Sequence, residues 1–575
     1  MRACCLILLL CVFFAGPAAA APSLNDPNLR VEEVVSGLAS PTTMAFIADG
    51  DILVLQKNDG RVIRILNGVV QSPEVLDLNV DSAVAHGLLG IALHPDFATN
   101  GFIYLYYTQA SGAGDSDDGS AAANVVRKFH WDGSALTAVA GDPILSLPVT
   151  PDPNHNGGII LFGPDGKLYV INGDLNRDGQ LQNFSDGPAP DGTSVIHRLN
   201  DDGTVPDDNP FAALGDPMNK YFAYGIRNSF GMAVDPVTGK LWDTENGENT
   251  YDEINLVEPG FNSGWQSIMG PATRPENVGH SPYIIPGSNA NYADPKFSWF
   301  DTVGPTAIIF LSSAKLGAEY ENDVFVGDIN NGNLYHFEPN ANRDGFILSG
   351  DLSDLVADSA AELPPVIFAT GFDGVTDLKV GPDGLLYVVS FGAGAIYRIG
   401  PRPLAVGAAS FPDAEIGVPY EVDLNINGGT DPYTIQSPPI KGALPLGIAP
   451  NGTHLSGTPS TAKKFKFTLR VVDDSGTSVD KQFSIQVFKA LMISTHALKS
   501  GKVGKSYKAA LKAKGGKAPY AWTVKSGSTL PSPLTLAPGG QIIGVPPAVW
   551  SGDVTFQVSD NLGVSREVTL TLSIN

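Results

Sequence analysis

Short apolar runs alternate with polar turns along the first 400 residues, and one pattern recurs six times. Each recurrence has a turn, most often built on Asp and Gly, beside a short run of apolar residues of strand type. Similar small sheets repeated around a ring protect their strand edges, as in β-propellers. We therefore predict an all-β fold with a six-bladed β-propeller over residues 22–400, and a series of unrelated hairpins is the alternative. The six segments are 48–54, 94–105, 163–170, 235–242, 322–326 and 381–388.

A different repeat follows the predicted propeller. Gly428–Tyr433 returns as Gly515–Tyr520, and Leu455–Pro459 returns as Ile542–Pro546, both at an offset of 87 residues. Each copy holds six or seven short strand patterns, which is typical of an immunoglobulin-like β-sandwich. We predict two such modules, at residues 403–488 and 489–575.

The N-terminus has the pattern of a secretory signal peptide, with Arg2, an apolar run over residues 3–14 and small residues up to Ala21. We expect cleavage after residue 21 and a secreted, periplasmic or cell-surface protein. The three cysteines, Cys4, Cys5 and Cys11, all lie in this segment. A mature chain would then have no disulfide, no Cys-ligated zinc and no thiol nucleophile. No later run reaches the ~20 apolar residues of a transmembrane segment.

Charge is distributed unevenly along the chain. Residues 1–400 contain 19 Lys and Arg against 49 Asp and Glu, whereas residues 401–575 contain 17 against 11. So acidic a first part repels nucleic acid, which we exclude as a partner. Its many carboxylates suit a hard cation such as calcium.

A candidate catalytic pair comes from residues 154–158 and from Gly173-Asp174. If Pro164-Asp165 is the tip of a two-residue hairpin, directly paired positions sum to 329, and Asp174 lies opposite His155. A carboxylate beside an imidazole orients the ring and raises its basicity, as a base for a substrate hydroxyl requires. The alternative is a histidine that only caps its loop.

Two further segments carry candidate binding groups. Arg227 and Asn228 stand between two glycines, and a guanidinium can bind carboxylates or quinone oxygens, although it can equally pair with a nearby acid. Residues 245–255 contain four carboxylates and three amides around Gly247. Oxygen-rich loops of this kind bind calcium, and a solvated acidic loop is the alternative.

Taken together, these motifs resemble the soluble PQQ-dependent glucose/sorbosone (aldose sugar) dehydrogenases over roughly residues 30–400. The resemblance rests on the order of five segments. They are Gly87–Phe97, the His155 segment, Arg227-Asn228, Asp252–Asn255 and Gly264-Trp265. It implies an exported quinoprotein that oxidises a sugar or polyol and passes electrons to an external acceptor.

The same resemblance implies the roles of the candidate residues. His155 would remove the proton from the sugar hydroxyl while hydride passes to the quinone, and Asp174 would orient His155. Arg227 and Asn228 would contact PQQ, with His155 beside it. The candidate calcium ligands come from the acidic loop and are Gly247, Glu248, Asp252 and Glu253.

The sequence departs from this family where PQQ, a tricarboxylate, is held by cations. Family members have a Lys on the fifth blade and Arg residues before the last turn, but residues 327–333 and 372–377 contain neither. Ala85-His86 also replaces an expected acidic or amide residue. Buried carboxylates without cations are costly, so Lys315, Lys379 or calcium would have to substitute.

These departures keep two other functions open. One is a non-catalytic propeller that binds carbohydrate or protein partners at the cell surface, with a degenerate PQQ site. The other is a hydrolytic propeller of the lactonase type, for which no ligand set stands out. The C-terminal modules could bind a surface glycan through their lysines or through Trp522 and Trp550, although a solvated strand face and a buried core are the simpler interpretations.

Overall fold

The computed structural model describes residues 21–575 and consists mainly of β-strands. The predicted signal peptide and its three cysteines lie outside the described residues, apart from Ala21. The chain forms two compact units, which meet in sequence at Pro401 and Arg402. No helix of the described part is long and apolar enough to cross a membrane.

In the first unit, thirty strands form six sheets. The strand named first for each sheet below is called its first strand, and the sheets are numbered in the order in which these first strands follow one another in the chain. Sheet 1 contains Pro41–Ala48, Asp51–Gln56, Arg61–Leu66, Val69–Val70 and Leu76–Asp77. Sheet 2 contains Leu88–Leu93, Phe102–Ala110, Ala121–Trp131, Leu136–Ala138 and Leu145–Leu147. Sheet 3 contains Ile160–Phe162, Leu168–Asn172, Val195–Leu199, Tyr221–Tyr224, Phe261–Asn262 and Asn291–Tyr292.

The other three sheets follow the same plan. Sheet 4 contains Gly231–Val234, Leu241–Glu245, Asp252–Val257, Phe297–Trp299 and Val356–Ala357. Sheet 5 contains Pro305–Phe310, Val324–Asp328, Leu334–Phe337, Ile367–Thr370 and Ser23–Leu24. Sheet 6 contains Val375–Val380, Leu386–Ser390, Ala395–Pro401 and Leu29–Ser36.

Helices in the described part are short. The α-helix is Phe97–Asn100, and the 3₁₀ turns are Gln180–Gln182, Ala212–Leu214, Met218–Lys220, Ala314–Leu316, Ala318–Tyr320, Gly350–Asp354 and Ala360–Glu362.

The six sheets form a closed ring. The first strand of each sheet contacts the first strand of the next, and the first strand of sheet 6 contacts that of sheet 1. Sheet 6 joins the two ends of the unit, because Leu29–Ser36 pairs antiparallel with Ala395–Pro401. Backbone hydrogen bonds therefore hold the two ends of the first unit together and close the ring.

All six turn segments expected from the sequence join the first strand of a sheet to its second strand. The register predicted for the third hairpin was wrong by one residue. Paired positions sum to 330, as in Ile160 opposite Val170, because the connection spans residues 163–167 and is longer than a two-residue tip. Strand pairing also ends at Ile160, before the chain reaches His155.

Large aromatic side chains fill the space between neighbouring sheets. Phe297 on sheet 4 is fully buried and makes edge contacts with Trp299 and Phe337, with ring centroids 4.9 and 4.8 Å apart. Aromatic side chains of this size bury roughly 150–250 Å² each, and they dominate the packing energy of a core.

The second unit contains two copies of one arrangement of short antiparallel strands, each around its own apolar core. The first copy contains Ala405–Val406, Ala414–Glu415, Tyr420–Asp423, Ile426–Asn427, Thr434–Ile435, Lys441–Gly442, Ile448–Asn451, His454–Gly457, Lys464–Val472 and Ser478–Phe488. The second contains Met492–Ile493, Tyr507–Ala510, Ala513–Lys514, Ala521–Val524, Thr535–Leu536, Gln541–Gly544, Trp550–Ser559 and Ser565–Ile574. Trp522 is buried in the second core, and Trp550 packs against it.

Two contacts join these copies. Glu415 of the first accepts a hydrogen bond from the backbone N–H of Leu491, at 2.7 Å. Asp413 forms an ion pair with Lys517, also at 2.7 Å.

Candidate active site

A cavity of about 400 Å³ lies where the first strands of the ring begin. Each of the six sheets contributes a residue from its first strand or from the position just before it, so the cavity lies around the centre of the ring. These residues are Thr43, Leu89, Ile159, Phe230, Thr306 and Thr376. Half of the other lining residues are apolar, and the polar ones are Thr42, Lys57, Asn154, His155 and Asn228. Binding sites for small molecules commonly combine apolar walls with a few polar groups.

His155 and Asp174 make the contact that the sequence predicts. His155 Nδ1 lies 2.6 Å from Asp174 Oδ1. The shifted hairpin register does not prevent this contact, because His155 lies outside the paired strand, where its φ is positive, at 56°. Gly173 allows the close approach, since a Cβ there would lie 2.1 Å from the carbonyl oxygen of His155.

Asp174 is held by two further donors. Trp265 Nε1 donates to Asp174 Oδ2 at 2.6 Å, and the N–H of Asn176 donates to Oδ1 at 2.9 Å. Because the carboxylate accepts from Nδ1–H, the lone pair of His155 is on Nε2, which has no hydrogen bond within residues 21–575. The imidazole is thus fixed in the tautomer that can accept a proton on the cavity side. The sequence motif contained Trp265, but its role as a donor to Asp174 was missed.

The loop that carries His155 is anchored by its neighbour. Asn156 is fully buried, and its Oδ1 accepts from Asn124 Nδ2 at 2.6 Å. Tyr106 donates through its hydroxyl to the carbonyl of Asn156 at 3.0 Å. Buried, satisfied polar networks of this kind hold a loop in one conformation.

Arg227 and Asn228 lie beside this pair in different ways. Arg227 Nη1 donates to the carbonyls of Asn246 and Gly247 at 2.9 and 3.0 Å, and the guanidinium lies 5.1 Å from the Trp265 ring centroid. Burial lowers the Arg227 pKa, and nearby carboxylates partly offset this effect. Asn228 lines the cavity, and its buried Oδ1 has no partner in the described part of the chain.

The four candidate calcium ligands do not converge on one point. Glu248 is exposed. Asp252 Oδ1 accepts from the N–H of Gly247, and Oδ2 accepts from the N–H groups of residues 303 and 304. Burial raises the Asp252 pKa to about 6, although these three N–H donors oppose the shift. Both carboxyl oxygens of Asp252 therefore accept hydrogen bonds that hold the loop in place.

Glu253 instead belongs to a buried carboxylate cluster on sheet 4, defined here as Asp243, Glu245 and Glu253. Glu253 lies directly opposite Glu245, and Asp243 lies opposite Asn255. All three carboxyl groups are buried, and burial raises the pKa of each well above its usual value. Neither oxygen of Asp243 has a partner in the described residues.

The carboxylate cluster is not a preformed metal centre. Among residues 21–575, no three His, Cys, Asp or Glu side chains already take up such an arrangement. Asn255 Nδ2 lies between two of the acids, at 3.1 Å from Glu245 and 3.2 Å from Glu253. The sequence signal for this cluster lies in strand 241–245, where two acidic residues share one face.

Lys57 is the cation that lines the cavity, and sequence reasoning missed it because no motif contains it. Lys315 and Lys379, the substitutes considered from the sequence, do not line the cavity, and Lys379 pairs with Asp377 at 2.7 Å. The fifth and sixth sheets contribute only neutral groups to the lining, among them Ile329 and Thr376.

Comparison with known proteins agrees with these observations. A family model described as Glucose / Sorbosone dehydrogenase matches residues 38–398, and an Ig-domain model matches residues 402–488 and 490–575. The aldose sugar dehydrogenase of Escherichia coli is 27% identical over 405 residues, which cover 69% of this chain and 97% of that protein. The mouse Hedgehog-interacting protein is 30% identical over 231 residues, which cover 36% of this chain and 32% of that protein.

A solved structure gives the same relationship. The crystal structure of the E. coli soluble aldose sugar dehydrogenase in its apo form superposes with a TM-score of 0.52 at 25% identity, covering 65% of this chain and all of that one. The Glucose / Sorbosone dehydrogenase model matches most of the first unit. The chain belongs to the glucose/sorbosone dehydrogenase family.

Proposed function

We propose that this protein is an exported dehydrogenase of sugars or other polyols, in which His155 is the general base. The observation that carries the proposal is the hydrogen bond between His155 and Asp174 at the wall of the central cavity. The six sheets of the first unit would be the six blades of a propeller, with residues 1–21 removed as a signal peptide. Residues 403–488 and 489–575 would form the two Ig-like modules.

The chemistry of this site follows from its hydrogen bonds. His155 Nε2 can accept the proton of a substrate hydroxyl, which leaves the developing negative charge on the substrate oxygen. Three donors, among them His155, orient the Asp174 carboxylate, which stabilises the imidazolium that forms. A positioned base of this kind contributes roughly 10²–10⁴-fold to a rate. Asn228 would hydrogen-bond the substrate or cofactor through its unpartnered amide.

A calcium ion would bind the carboxylate cluster only if its side chains moved together, because no such group is preformed among the described residues. Asp243, Glu245 and Glu253 place three buried carboxyl groups together without a cationic side chain among them. Buried charges of one sign are costly unless a cation or protons neutralise them. Calcium, which takes oxygen ligands, would supply the positive charge. It would also link sheet 4 to the loop that contacts Arg227.

The residues of the cavity do not fit PQQ held by three ionised carboxylates. PQQ would act as the hydride acceptor, but one ammonium, that of Lys57, faces it from the described lining residues. Two carboxylates would remain without a cationic partner, which is unfavourable in an apolar cavity. We therefore assign no step to PQQ.

The test is reconstitution of the mature full-length protein with PQQ and calcium, followed by dye-linked oxidation of a panel of aldoses. Turnover that His155→Ala removes and His130→Ala retains would support the proposal, since His130 is an exposed histidine away from the cavity. Turnover that survives in His155→Ala would refute the assignment of the base.

A second function is favoured by the missing cations. In a non-catalytic propeller, the same cavity would bind a carbohydrate or a partner group without oxidising it. The partial match to the mouse Hedgehog-interacting protein supports this interpretation, because that relative is named for an interaction. Sugar binding without turnover under any reconstitution condition would establish this function instead.

A further inference from the structure

The central cavity carries one positive group and no negative one. Among its described lining residues, Lys57 is the cation, and no Asp or Glu is present. His155 has its own carboxylate partner outside the lining, Asp174. A ligand that enters this cavity therefore lies beside a lysine that forms no ion pair in the described part of the chain.

Lys57 is held in this position by its surroundings. Its Nζ donates to the carbonyl of Ser82 at 2.9 Å and to Asn58 Oδ1 at 3.3 Å. No Asp or Glu of residues 21–575 forms an ion pair with it. Gly87 makes room for the stem, because a Cβ there would lie 2.7 Å from Lys57 Cγ.

The nearest acidic residue is already engaged. Asp81 contacts His86 Nδ1 at 2.6 Å and accepts from Ser116 Oγ at 2.8 Å. Burial lowers the Lys57 pKa to about 8, and the charge of Asp81 limits this decrease. Most Lys57 side chains therefore remain protonated at pH 7, and the protein itself provides no direct counter-charge.

We propose that Lys57 binds a single carboxylate of the ligand, and that the cavity prefers a monocarboxylate sugar, such as a uronate or aldonate, over a neutral aldose. One carboxylate against one ammonium leaves no net buried charge, whereas a tricarboxylate leaves two. The proposal names the substrate class of the proposed function, and it rests on that function for the role of His155. It does not require turnover.

The remaining polar groups suit the rest of such a ligand. Asn228 and His155 can hydrogen-bond sugar hydroxyls, and Phe230 and Phe391 provide apolar faces for the C–H groups of a sugar ring. A charge-assisted hydrogen bond to a carboxylate is about twice as strong as a neutral one. The carboxylate contact should therefore dominate selectivity.

The experiment measures binding by calorimetry at pH 7 without an electron acceptor, using the full-length protein. The probes are D-glucuronate, D-gluconate and D-glucose. We expect at least one of the two sugar acids to bind at least 10-fold more tightly than D-glucose. Lys57→Met should abolish this preference, whereas Lys57→Arg should retain it. Lys315→Met, which changes a lysine that does not line the cavity, should behave as wild type.

Equal affinity for the sugar acids and D-glucose in the wild type would overturn the proposal, and so would an unchanged preference in a folded Lys57→Met variant. If Lys57→Met does not fold, the wild-type selectivity and the Lys57→Arg variant decide the outcome. His155→Ala separates the two proposals, because it should bind the preferred sugar acid through Lys57 even if turnover is never found.

Discussion

Replacing Glu245 by Gln should have opposite effects on stability with and without calcium. Glu245 and Glu253 lie directly opposite each other on sheet 4, and both carboxyl groups are buried. Burial raises their pKa values well above those of an unfolded chain. A group whose pKa is raised on folding stabilises the protein at low pH and loses this contribution as the pH rises through the folded-state pKa. Without a cation, the cluster is therefore destabilising at pH 8.

The expected size of each effect follows from this charge balance. Glu245→Gln removes one of three buried carboxyl groups, and its single carbonyl oxygen can accept from either the N–H of Arg227 or Asn255. At pH 8 in a chelator, the variant should be more stable than wild type by roughly 1–3 kcal/mol. Calcium at about 100 times its Kd should stabilise wild type by about 2.7 kcal/mol and the variant by much less.

Urea unfolding, followed by tryptophan fluorescence with and without calcium, measures both effects. The first unit contains Trp131, Trp242, Trp265 and Trp299, and the second contains Trp522 and Trp550, so the transition of the second unit is an internal control. Glu258→Gln is the matched control, because it replaces an exposed acid just beyond the neighbouring strand, which carries Glu253. A first transition that does not respond to calcium, or a Glu245→Gln protein that is less stable in chelator, would refute the reasoning.

Three further predictions concern other parts of the molecule. Trp265→Phe should lower kcat about 10-fold, because Asp174 loses one charged hydrogen bond of roughly 1.5 kcal/mol. An aromatic ring remains beside Arg227. Steady-state kinetics together with an unchanged unfolding curve would confirm this prediction. Phe297→Ala should destabilise the first unit by roughly 3–5 kcal/mol in urea unfolding, and a loss below 1 kcal/mol would contradict the packing described. Asp413→Asn breaks a partly exposed ion pair, so the second unit should lose no more than about 1 kcal/mol.

The sequence was sufficient to predict the repeating hairpins, because the turns and apolar runs are local signals. All six turn segments join the first two strands of a sheet. The exact register of the third hairpin was not predictable, since it depends on how many residues the turn takes up, and the turn at 163–167 is longer than its Pro-Asp dipeptide indicates.

The candidate site was predictable where its residues lie in motifs. His155 and Asp174 were paired correctly, although the contact depends on a positive φ at His155 and on Gly173 more than on strand register. Lys57 could not be found in this way, because its role arises from ring closure, which brings the end of a strand in sheet 1 to the central cavity.

The carboxylate cluster was only partly predicted, for a related reason. Glu253 was chosen with Gly247, Glu248 and Asp252 as one loop, but alternation along a strand sends neighbouring side chains to opposite faces. Glu253 therefore meets Asp243 and Glu245 across the sheet, whereas Asp252 binds backbone N–H groups.

The measurement that tests the central claim most directly is single-turnover reduction of the reconstituted protein by its preferred sugar, in wild type and in His155→Ala. Binding of cofactor and sugar is measured separately on both proteins. If His155 is the base, the variant binds both ligands and reduces the cofactor about 10²–10⁴-fold more slowly. Equal rates in the two proteins would contradict the assignment of His155.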